Sequence, residues 1–274
     1  MIKPVLRPFS VLLLLFLTNI TVFASTFSPS KNTQISASAE YMYLKHENYD
    51  EDGFVVNSED GFIPGFGISL ISTSRKMIGG FSLEMYSGST DFTAELSDGF
   101  FESRTTQRLS CFSYHLKTNM WRRLFQFYGV ASFNDWQRDI AAKGVILNLE
   151  RRYQWWSLEV GTQLNIDVTR DDTLSAEIGV SRTVFSEMQM DLSQSNLGKP
   201  LFKLQDKFGL SVKLSFKHMF NKKHGGNLFA NAKYWQFGPS NTRTINNNID
   251  TITIKESESQ SLATAFGATY FYLF

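Results

Sequence analysis

The 274-residue chain has a single cysteine, Cys111, so no intramolecular disulfide staples it and no cysteine cluster offers a zinc site. Charge is scarce as well. Only 19% of residues are Asp, Glu, Lys or Arg and the formal net charge is +1, which removes the electrostatic reason to expect a nucleic-acid partner. Apolar material is not scarce, with 42% hydrophobic residues including 25 Phe, 10 Tyr and 5 Trp, and this excludes a disordered chain. Beyond the first residues there is no unbroken apolar run of membrane-helix length, so the rest of the chain is not expected to cross a bilayer as helices.

The one long apolar run lies at the N-terminus. Lys3 and Arg7 precede residues 11–17, VLLLLFL, and Val22-Phe23-Ala24 follows. A positive region, an apolar region and a small-residue site in that order predict a signal peptide over 1–24, cleaved after Ala24, and export of 25–274 as one domain. Thr18, Asn19 and Thr21 interrupt the run, leaving it short of the roughly 20 apolar residues a spanning anchor needs.

The remainder alternates. Leu158, Val160, Thr162, Leu164, Ile166 and Val168 share one parity, with Glu159, Gly161, Gln163, Asn165 and Asp167 on the other. The pattern returns at Leu174, Ala176, Ile178 and Val180, at Phe208, Leu210, Val212, Leu214 and Phe216, and at Ile35, Ala37, Ala39, Tyr41 and Tyr43. Such a period of two sets an apolar face against a polar one. Ten segments can be counted, near 33–46, 62–74, 77–90, 104–116, 121–137, 153–168, 173–187, 203–220, 227–238 and 260–274. Links near 74–76, 117–119, 169–172 and 221–226 are short, whereas 47–61, 91–103, 138–152, 188–202 and 239–259 are long. Long alternating strands with short turns at one end and long loops at the other predict an all-β fold. It is a closed antiparallel up-and-down transmembrane β-barrel of about ten strands, with twelve possible, in a bacterial outer membrane. A soluble β-sandwich would have shorter strands, nearer five or six residues. The apolar parity then faces lipid, and Phe62, Phe66, Trp121, Phe125, Phe133, Trp136, Tyr153, Trp155, Trp156, Tyr234, Tyr270 and Tyr272 are assigned to interfacial girdles.

Leu262, Phe266, Ala268, Tyr270, Tyr272 and Phe274 share a parity, and the sequence ends on that last aromatic. This ending resembles the terminal strand of Gram-negative outer-membrane proteins. The resemblance implies that Phe266, Tyr270, Tyr272 and Phe274 form the signal read by the barrel-assembly machinery. The 161–181 hairpin and the ending Phe266-Gly267-Ala268-Thr269-Tyr270 resemble the β-barrel domain of autotransporters, above all solitary ones without a passenger. That family's translocating domains have twelve strands against the ten counted here, and residues 25–32 are too few for a passenger, so passenger secretion is not expected.

Inward-parity residues divide into Glu40, Glu84, Glu159, Asp167 and Glu177 on one side and Lys203, Lys207, Lys213, Lys217 and Lys233 on the other. A lumen little wider than that of an eight-stranded barrel could be closed by pairing between them. Candidate catalytic groups are few. Of His46, His115, His218 and His224, only His46, beside Glu47, Asp50, Glu51 and Asp52, is placed for chemistry at the loop-bearing rim of an omptin-type protease. A lipid A deacylase would need a His after His224, and there is none. Loops 47–61 and 91–103 are acidic and are expected to give that rim a negative field, without the later ligands of a calcium loop. The sequence therefore predicts a monomeric, non-enzymatic barrel without catalytic, cofactor or metal residues. Its partners are outer-membrane lipid, lipopolysaccharide and the assembly machinery, and its role is adhesion or envelope integrity. A small-solute or ion channel is the alternative.

Overall fold

The computed structural model describes residues 33–74, 76–96, 99–120, 124–141, 149–195, 197–246 and 251–274. The expected signal peptide, residues 25–32 and Trp121 lie outside the described residues. The wall strands in chain order are β1 (Thr33–Tyr49), β2 (Val55–Thr73), β3 (Met77–Leu96), β4 (Gly99–Met120), β5 (Phe125–Ile140), β6 (Leu149–Asp167) and β7 (Asp172–Asp191). The eighth is broken into β8 (Leu201–Asp206) and β9 (Phe208–Met219), and β10 (His224–Ser240) follows. A hairpin of β11 (Arg243–Asn246) and β12 (Thr251–Ile254) precedes β13 (Glu258–Leu273). Each wall strand pairs antiparallel with its sequence neighbour. β13 pairs with both β10 and β1, from Gln34↔Leu273 to Tyr49↔Glu258, so ten strands form a closed barrel with no free edge.

Strand length exceeds what lipid requires. A transmembrane strand needs about 9–11 residues, whereas β3 and β7 each have 20. The surplus lies at the end bearing the five longer connections, the outer side of the membrane. The segments read as loops 47–61 and 91–103 are largely strand, because β1 runs to Tyr49, β2 begins at Val55, β3 runs to Leu96 and β4 begins at Gly99, whereas 188–202 is strand only at its two ends.

The apolar parity faces out as the alternation predicts, with Val160 68%, Ile178 60% and Leu228 61% exposed. The inward face changes character along the strand. On β1 it reads Gln34, Ser36, Ser38 and Glu40 towards the inner side of the membrane, then Met42, Leu44, His46 and Asn48, the last four all buried. Three aromatics assigned to the girdles belong to this buried face: Trp136, Tyr153 and Trp155 point into the barrel. Phe62, Phe66 and Tyr270 do face outwards.

Two irregularities reverse the parity. Phe185 has φ 54°, beside a register shift between Gln154 and Trp156 on β6. Inward residues change there from Ser175, Gly179 and Thr183 to Ser186, Met188 and Met190, because an inserted residue turns all later side chains to the other face. The β8–β9 break at Lys207 does the same, and Thr183 holds it, its N–H donating to the Lys207 carbonyl and its Oγ1 accepting from the Lys207 N–H, each at 2.9 Å. Phe202 and Leu204 are buried on the inward side, so Lys203, expected in the lumen, is exposed on the outer face.

Candidate functional site: a sealed outer half above a polar vestibule

Across the outer half of the lumen runs a chain of buried polar groups. Glu59 of β2 and Arg138 of β5 form an ion pair, Nε to Oε1 2.9 Å, with both side chains fully buried. Gln107 donates to Glu59 at 2.7 Å and to Thr90 at 2.9 Å, and accepts from Trp136 Nε1 at 2.6 Å. Arg138 Nη1 donates to His46 Nε2 and to Tyr153 Oη, both at 3.1 Å. Tyr153 donates to Glu256 at 3.2 Å, which also accepts from Arg151 at 2.8 Å. Strands β2 to β6 and the segment before β13 are thereby tied across the barrel. The opposite side is apolar: Met188, Met190, Phe202, Leu204 and Phe237 are buried in one cluster with Trp136, Tyr153 and Trp155. Phe237 stacks on Tyr153 at 5.8 Å and meets Trp155 edge-on at 5.1 Å. Charge survives there because each ion is paired and hydrogen-bonded, and because the Arg138 guanidinium lies 5.1 Å from the Trp136 ring.

His46, placed by the sequence at a solvated rim, is completely buried. An arginine can only donate, so His46 Nε2 accepts from Arg138 and its Nδ1–H donates to Ser261 Oγ at 2.9 Å. The ring thus presents a proton, not a lone pair, to the serine.

Below this plug the lumen widens into a cavity of about 580 Å³, whose lining reaches Gln34, Leu124, Asp167 and Thr173 at the inner strand ends. A smaller space of about 90 Å³ separates it from the plug, bounded by Glu84, Glu159, Lys233 and Cys111 below and Trp155 and Trp235 above. Tyr128 closes one side: a Cβ on Gly161 or Gly179 would stand 2.5 or 2.4 Å from its ring or hydroxyl, so only glycine lets it lie flat across β6 and β7 and donate to Glu159 at 2.9 Å.

The charges expected to close the lumen are arranged differently from the expected pairing. Glu177 takes Lys117 at 2.9 Å, a residue read as part of a turn, and Lys207 takes Glu258 at 3.4 Å. Glu40 accepts from Ser38 at 2.7 Å and from Tyr86, and Glu159 also accepts from Ser211 at 2.6 Å. Lys213 and Lys217 lie over the rings of Phe229 and Phe271. Among the described residues no ion pair joins the expected lysines to the expected glutamates; hydroxyls hold Glu40 and Glu159, Lys117 holds Glu177 and rings lie beside Lys213 and Lys217, while Glu84 is the main charge acting on Lys233. Glu84 and Lys233 line the spaces just described.

At the outer rim the acidic residues are partly compensated. Glu47 pairs with Lys45 at 2.7 Å and Glu51 with Lys255 at 3.0 Å. Lys199 and the Ser193 N–H, at 2.6 and 2.9 Å, hold the Asp191 carboxyl down at about 2. Phe266 and Tyr270 on β13, and Phe274 just after it, are more than half exposed.

No family model and no curated protein matches the chain. Among solved structures it is similar to the outer membrane protease OmpT from Escherichia coli, at 12% identity and TM-score 0.60, covering 90% of this chain and 98% of that one. The translocator domain of autotransporter NalP from Neisseria meningitidis has TM-score 0.43 at 9% identity, with 97% and 98% covered. OprG from Pseudomonas aeruginosa has 0.37 at 12%, with 89% and 96% covered. The chain has the fold of a Gram-negative outer-membrane barrel.

Proposed function

We propose that this chain is a sealed, non-enzymatic outer-membrane barrel with a surface or structural role, in adhesion or envelope integrity. The observation that carries this reading is the closed outer half, where Arg138 and Glu59 are fully buried between an aromatic wall and an apolar one. A filled lumen leaves no path for a solute or a threaded polypeptide, which fits a solitary autotransporter-type barrel better than a secreting one. The one histidine near the rim has its proton turned towards Ser261, the wrong polarity for activating a nucleophile.

The vestibule favours a second reading, a small-solute or ion channel, because a cavity of about 580 Å³ already occupies the inner half. Osmotic swelling of proteoliposomes in small sugars separates the two. The sealed barrel gives no swelling above that of empty liposomes, and swelling graded by sugar size supports the channel.

A further inference from the structure

The outer wall carries a recess where a barrel exterior is ordinarily convex. It lies across β2 to β6, has a volume of about 580 Å³, and is floored by the small residues Gly65, Ser87 and Ser110. Its membrane side is apolar, with Phe66 and Met85 both exposed. Its outer side is polar and carries a net positive charge, with Arg108, Arg152 and Asp135 in the lining.

Register fixes this geometry. Arg108 is opposite Gln137 on β5, and Gln137 is opposite Arg152 on β6, so the two arginines lie in one row, two strand spacings or roughly 10 Å apart. Their inward neighbours Gln107, Arg138 and Tyr153 fill the plug, which turns Arg108, Gln137 and Arg152 out. Four residues towards the membrane on the same three strands stand Phe112, Phe133 and Trp156, and the last two rings are 5.5 Å apart. A cationic row just outside an aromatic row falls at the headgroup level of the outer leaflet.

Among the described residues, one of the two cations is already paired, Arg152 with Asp135, and the other, Arg108, is not. Asp135 grips Arg152 side-on through Nε at 2.9 Å and Nη2, which fixes the guanidinium and leaves its Nη1 hydrogens uncommitted. Gln154 also donates to Asp135, at 3.1 Å, and Gln137 donates to Glu150 at the same distance. Arg108 is exposed and makes no ion pair or hydrogen bond among the described residues. An uncompensated guanidinium beside lipid requires an anion, and planar bidentate donors match phosphate.

We propose that this recess binds the phosphorylated glycolipid of the outer leaflet, lipopolysaccharide, with a lipid A phosphate between Arg108 and Arg152 and an acyl chain over Phe66 and Met85. Asp135 acts as a positioning residue for Arg152. The proposal is independent of whether the lumen conducts.

The test uses the full chain refolded in detergent. Binding is measured by native mass spectrometry with three probes: rough lipopolysaccharide, the same material dephosphorylated, and phosphatidylglycerol. Phosphorylated lipopolysaccharide should bind at least tenfold more tightly than either of the others. Arg108→Ala should remove most of that advantage and Arg108→Lys should restore part of it, while Arg104→Ala, outside the recess, should leave it intact. Heat-modifiable gel mobility establishes that each variant is folded. Equal affinity for the dephosphorylated form, an equal loss in Arg104→Ala, or equal binding of phosphatidylglycerol overturns the assignment, the last by showing a generic lipid-phosphate contact.

Discussion

Arg138 Nε lies 2.9 Å from Glu59 Oε1, and neither side chain is exposed to solvent. The strands that carry them, β2 and β5, are separated in the wall by β3 and β4, so this pair spans the lumen instead of decorating a rim. Removing one partner leaves a buried charge uncompensated, at a cost of about 3–5 kcal/mol. Arg138→Ala should show a loss of that size in a urea titration of the refolded protein. Glu59→Leu combined with Arg138→Met should recover most of it, because a packed apolar pair has no charge to desolvate. A single variant as stable as the wild type would remove the pair from any part in the plug.

Lipid exposure makes a second prediction. Val160 and Val212 are outward and exposed, whereas Asn227 lines the vestibule. Val160→Arg and Val212→Arg should each cost about 2–4 kcal/mol if they lie near the midplane, and Asn227→Arg clearly less. Equal losses in all three would contradict the parity assignment.

Assembly supplies a third. Phe274 is 60% exposed, packs against Tyr272 at 5.0 Å, and donates its backbone N–H to Thr33 at 3.0 Å, beside the β1–β13 seam. Its deletion removes little buried surface, so the refolded variant should keep near wild-type stability in vitro. Its abundance in the outer membrane of cells should nevertheless fall severalfold, because the terminal aromatic is expected to be read by the assembly machinery. Unchanged abundance would argue against that signal.

Much of the wall was legible in the sequence, and the plug was not. All ten wall strands were found because period-two alternation against lipid is a long, regular signal. The site residues were missed for two physical reasons. Glu59 and Arg151 fall in stretches that alternate charged and polar residues on both faces once the wall leaves the lipid, so they read as loop. Trp136, Tyr153 and Trp155 were assigned to girdles by residue type although their parity already pointed inwards. One clue was available on β1, where the inward parity passes from Ser36, Ser38 and Glu40 to Met42 and Leu44; a lumen face that turns apolar marks a filled lumen. Lys203 was misassigned because an irregularity in an otherwise regular strand, here the break at Lys207, leaves no mark on composition.

Cys111 provides a sided reporter without mutagenesis. It is 8% exposed, hydrogen-bonds Ser113 at 3.3 Å, and lines the small space beneath the plug. In oriented proteoliposomes a small charged thiol reagent should label it slowly from the vestibule side and not from the outer side. Labelling from the outer side would show that water passes the plug.

Closure of the outer half is tested most directly by planar-bilayer recording of the refolded wild type beside a Trp136→Ala, Arg138→Ala variant. The wild type should show no discrete conductance steps. The variant should show them, because removing the buried indole and guanidinium opens the space between the vestibule and the outer rim. Steady stepwise conductance in the wild type, unchanged in the variant, would contradict the sealed barrel and establish a channel.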